Sequence, residues 1–158
     1  MGIFSWISDW ASAITEAAQE QQNKEAQHLQ YMTAAAGVGS VQLRCHQDTW
    51  NYFLREFQKH SYNAASFRRP AEAAIVREDD GMIVVPLSGS TVAALLDRCN
   101  GMSRRTEPLD HAMGVRVYEA IATVLRKIEP AGEQKIPLPP ITLDDRPGTP
   151  ATESAQSS

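Results

Sequence analysis

Cys45, His46, Cys99 and His111 carry side chains of the types that bind zinc. Compact zinc sites place two ligands a few residues apart in each of two knuckles, and these four do not have that spacing. Cys99 also completes an apolar helical face with Val92, Leu95 and Leu96, where a thiol acts as a small hydrophobe. A nucleophile, base and orienter can be written from Cys45 or Ser90, His60 or His111, and Asp110. None of them sits in a nucleophile elbow, and the letters alone fill no named catalytic role. Gly37-Val38-Gly39-Ser40 and Leu87-Ser88-Gly89-Ser90-Thr91 are fragments of phosphate-cradling loops without the lysine or the full glycine spacing. The expectation is a non-enzymatic protein with no metal, no cofactor and no small-molecule substrate.

A second chemistry is nucleic-acid binding. Between residues 44 and 69, Trp50, Tyr52, Phe53, Phe57, Tyr62 and Phe67 interleave with Arg44, Arg55, Lys59, Arg68 and Arg69, against Asp48 and Glu56. Cations contact phosphates and aromatic rings stack on bases. Arg55, Lys59, Arg68 and Arg69 are the candidate contacts. The competing expectation is a solvated cationic face over a helix whose Trp50, Phe53, Leu54 and Phe57 already form a core stripe.

The third candidate is the first helix. Ile3, Trp6, Ile7, Trp10, Ala13, Ile14, Ala17 and Ala18 recur at helical spacing, with Ser5, Ser8, Asp9, Ser12 and Glu16 opposite. Two of the three tryptophans lie on this stripe. It needs a cover: the body of the protein, a second copy, a partner helix or a bilayer surface. Its polar face has no cation before Lys24, so an anionic membrane would repel it, although small hydroxyls opposite bulky aromatics suit loosely packed lipid. A homo-oligomer is the leading expectation, with Ile3, Trp6, Ile7, Trp10 and Ile14 as the interaction residues. A peripheral membrane contact and a nucleic-acid regulator are the alternatives.

These candidates need elements to hold them. Residues 1–36 read as an amphipathic helical appendage, polar all round after Ala18, joined through Gly37-Val38-Gly39-Ser40 to a body of residues 40–129. In the body, Val41 to Cys45 alternates like a short strand, and Asp48 is a plausible N-cap for a helix over 49–60. Ala74 to Glu78 and Met82 to Val85 flank Asp79-Asp80-Gly81 as a β-hairpin, closed by Pro86. Ser90 caps a helix over 91–100, with Gly101 as the left-handed residue just after its end. A last helix carries Met113, Val117, Ala120, Ile121, Val124, Leu125 and Ile128 and stops at Pro130. Residues 130–158, rich in Pro, Ser and Thr without periodicity, read as a disordered tail. The predicted class is α+β: a helix-rich single domain with one hairpin. The order of helix, hairpin, helix and helix resembles small bacterial or phage-borne accessory proteins in style only, and no residue role follows from that.

The chain of 158 residues has a net charge of −4, with −3 over 1–36, +2 over 37–128 and −3 from Glu129 onward. That distribution lacks the basic footprint of a dedicated nucleic-acid binder. No apolar run reaches a membrane span, the start has no basic region like that of a secretory signal, and Trp6 breaks a myristoylation pattern. Two cysteines are too few for a disulfide framework, so the expected compartment is the cytoplasm.

Overall fold

The computed structural model describes residues 3–59, 66–128 and 138–144. Its sheet is organised around β1 (Ser40–His46), whose period-2 pattern buries Val41, Leu43 and Cys45 and exposes Ser40, Gln42 and His46. β1 pairs antiparallel with β3 (Met82–Ser88), Leu43 standing opposite Val85. β2 (Val76–Arg77) pairs antiparallel with the other side of β3, and with β4 (Ile141–Leu143) the order across the sheet is β2-β3-β1-β4. The expected hairpin tip is present. Asp79–Gly81 forms a single 3-10 turn with Asp80 at φ 59° and Gly81 at φ 74°, conformations that Asp tolerates and Gly adopts without strain. The incoming strand is shorter than expected because Glu72–Ala74 coils into a 3-10 turn first. β3 runs on through Pro86 to Ser88. β2 pairs only with Ile83 and Val84, so at Pro86 that side of β3 is a local edge and the missing N–H removes no ladder bond there.

β4 (Ile141–Leu143) corrects the reading of 130–158 as a structureless tail. It adds parallel to the free side of β1, with Leu43 opposite Ile141, which is fully buried. Arg44 secures it by an ion pair to Asp144 at 3.0 Å and bonds Glu78 of the hairpin at 2.8 Å. The remaining tail residues, 129–137 and 145–158, lie outside the described residues.

Four helices complete the core. α1 spans Ile3–Gly37, and its last turns do not form a detached appendage: Tyr31 and Ala35, with Val38 after them, belong to the buried core. α2 (Gln47–Lys59) follows β1 directly, so Asp48 falls in its first turn instead of capping it; Trp50, Phe53 and Phe57 are buried as expected. His60 lies outside the described residues. α3 (Gly89–Met102) is capped by Ser88, whose Oγ accepts from the Thr91 N–H at 3.4 Å, and it continues through Gly101. α4 (Pro108–Leu125) starts with a proline in its first turn and buries Val117, Ile121, Val124 and Leu125. α3 packs on α4 and on the C-terminal turns of α1, while α4 covers β4. Two glycines permit these approaches: a Cβ at Gly89 would strike the Ala35 and Val38 carbonyls, and one at Gly114 would lie 2.6 Å from Ser103 N. The fold is α+β. Among the described residues no helix is long and apolar enough to cross a membrane.

Candidate interaction helix

α1 is one continuous helix with two different surroundings. Tyr31 and Ala35 are buried and His28 is partly so, whereas residues 6–27 are exposed throughout. Trp6, Ile7, Trp10 and Ile14 are 58, 45, 64 and 49% exposed, so the body does not cover the apolar stripe. Ile3 belongs to the helix, but its side chain lies outside what is described. The polar middle stays helical through contacts one turn apart: Lys24 pairs with Glu20 at 2.6 Å, and Gln21 donates to Glu25 at 3.0 Å.

The root of α1 is clamped by polar groups from α3 and α4. His28 Nδ1 lies 3.1 Å from the Tyr118 hydroxyl, and His28 Nε2 is 3.5 Å from the Asp97 carboxylate. Tyr31 meets Tyr118 edge to face at 6.2 Å and accepts a hydrogen bond from Arg126 Nε. Burial raises the Tyr118 hydroxyl above its ordinary pKa. Beyond these contacts the exposed half of the helix, an arm over positions 6–27, extends over about 33 Å at 1.5 Å per residue.

The other candidates do not assemble into sites. Cys45 and Cys99 are fully buried, and burial pushes the Cys45 thiol up to about 12 and that of Cys99 above its ordinary value. His46 Nδ1 accepts from the Asp48 N–H at 3.2 Å, and His111 Nδ1 lies 2.6 Å from the Ser103 carbonyl. Among the described residues no three His, Cys, Asp or Glu side chains come together to hold a metal ion. Ser90 bonds Ser88 at the α3 cap, while Asp110 accepts from Tyr52 and Arg105.

The basic-aromatic segment is divided between core and surface. Trp50, Phe53 and Phe57 are buried, Phe67 stacks on Phe57 at 4.0 Å, and Tyr52 is tied to Asp110; Tyr62 lies outside the described residues. The described rings among those expected to stack on bases therefore pack or bond within the protein. Lys59 pairs with Glu56 at 3.3 Å and Arg69 with Glu72 at 3.7 Å. Arg68 is held through its main chain, which bonds Thr91 in both directions, and Arg55 stands on the exposed face of α2.

One cluster escaped the sequence reading. Glu56, only 3% exposed, accepts from Arg98 Nη2 at 2.7 Å, Arg105 Nη1 at 3.1 Å and Lys59 at 3.3 Å. Burial alone would push its carboxyl up, but the bonds from Arg98, Arg105 and Lys59 outweigh it and leave it below the usual range. The available signal was an acid three residues after Phe53, on the flank of an apolar stripe. Its contacts join α2 to α3 and the segment before α4, a structural role. No protein-family model, curated protein or solved structure matches this chain.

Proposed function

We propose that this protein is a non-enzymatic interaction or scaffolding protein that associates with a second copy of itself through the N-terminal half of α1. The supporting observation is the exposure of Trp6, Ile7, Trp10 and Ile14 along one side of a helix clamped at its other end. An exposed apolar stripe of this kind marks an interaction surface. Two such stripes facing each other would bury on the order of 1,000 Å² in all, near the lower limit for a specific interface, which fits a dimer of modest affinity. A protein surface is favoured over a bilayer because Asp9, Glu16, Glu20 and Glu25 face a single cation, Lys24, along the arm. A nucleic-acid role for 44–69 ranks lower, since its described aromatics are engaged in packing. A cytoplasmic location is part of the proposal, supported by two free, buried cysteines.

Light scattering on the full-length chain tests this reading. A concentration-dependent dimer is expected, and Trp6→Ser with Trp10→Ser should return it to monomer without loss of helicity or thermal stability. A wild-type monomer at high micromolar concentration would overturn it, as would vesicle binding by an otherwise monomeric protein.

A further inference from the structure

We infer that the two arms pair antiparallel, each N-terminus pointing toward the body of the other protomer; this rests on the self-association proposed above. Ile7, Ile14, His28 and Ala35 share one heptad position, and Ile3, Trp10, Ala17 and Tyr31 share the complementary one. A straight α-helix drifts by about 20° per heptad, so His28 stands only about 40° around the axis from Ile14. The exposed stripe and the face packed on the body therefore lie on the same side of α1. From His28 onward that side is already occupied, since His28 reaches Asp97 of α3 and Tyr118 of α4, and Ala35 is fully buried.

This arrangement excludes a parallel pair. A parallel partner helix would run along the stripe and meet α3 and α4 where the bodies begin, and α1 has no break at which to turn away. An antiparallel partner enters from the free end and stops short of His28. The side chains suit that direction as well. Ile3, Trp6, Ile7 and Trp10 are bulky, whereas Ala13, Ala17 and Ala18 farther along are small. Antiparallel packing sets the bulky end of one helix against the small end of the other, so that the layers interdigitate. One register matches the described stripe: Ile7 against the partner's Ala17 and Trp10 against the partner's Ile14.

Spin labels on the full-length protein at Ser12→Cys and, separately, Asn23→Cys read the direction without altering the stripe. Both positions are exposed, whereas Cys45 and Cys99 are fully buried and stay unlabelled. In the antiparallel dimer Ser12 lies near the two-fold axis, and the Asn23 labels stand more than about 30 Å apart, from 1.5 Å of rise per residue. Equal separations at the two sites in a proven dimer would overturn the antiparallel arrangement while leaving self-association intact. A monomeric mass under all conditions would overturn both.

Discussion

The Tyr31 hydroxyl accepts a hydrogen bond from Arg126 Nε at 2.8 Å, and the guanidinium carbon of that arginine stands 5.7 Å from the Tyr31 ring centre. The contact joins the root of α1 to the residue that caps the end of α4. Tyr31→Phe keeps the ring and deletes the bond. Chemical denaturation should show a loss of about 0.5–1.5 kcal/mol, the net worth of a neutral hydrogen bond, because the half-exposed Arg126 charge is screened by water. The oligomeric state of the wild type should be retained, because Tyr31 is buried against the body instead of lying on the exposed stripe.

Glu56 predicts a larger effect. Glu56→Gln removes the charge that compensates Arg98, which is only 12% exposed, and should cost about 3–5 kcal/mol, as for breaking a buried pair. Urea unfolding at neutral pH would measure it. Lys59, 66% exposed, should matter far less.

The same carboxylate sets an acid limit. Its folded pKa is depressed, so its contribution is present in full above the unfolded value of about 4.3 and is lost as pH falls through the folded one. Asp110 acts in the same direction, lowered by its bonds from Tyr52 and then Arg105. Wild-type stability should therefore decline below about pH 4, and Glu56→Gln should flatten that decline. Equal slopes in the two proteins would count against the assignment.

Two helical glycines should respond in opposite directions. A Cβ at Gly114 would lie 2.6 Å from Ser103 N and 2.8 Å from both Cys99 O and Met102 Cβ, so Gly114→Ala must push α3 and α4 apart. A cost of about 1–3 kcal/mol is expected from such overpacking. Gly101 has nothing within 4 Å of its Cβ position and lies within α3, so Gly101→Ala should stabilise by about 0.5–1 kcal/mol. Thermal melts of the two variants would check both signs.

What the sequence disclosed was local and periodic. Trp50, Phe53 and Phe57 repeat within one helix, and Asp80-Gly81 states its own turn, so α2 and the hairpin tip were legible. β4 was not, because Ile141-Thr142-Leu143 is too short to show a period and its partner β1 lies far away in sequence. The root of α1 was hidden for a related reason: Tyr31 and Ala35 form a sparse stripe whose burial depends on α3 and α4. In the arm, spacing identified Trp6, Ile7, Trp10 and Ile14, but only the tertiary structure settles that the body leaves them uncovered.

The central position of β1 has a consequence for biosynthesis. One flank of β1 is closed by β3, but the other waits for β4, which is translated after α3 and α4. Until then the nascent chain presents β1 as an open edge, with main-chain donors and acceptors ready to template a foreign strand. Proteolytic loss of the segment from Leu138 onward would recreate that state in the finished protein. Ile141–Leu143, three residues long, thus take the outer position of the sheet and cover Leu43 to Cys45, the middle of that edge.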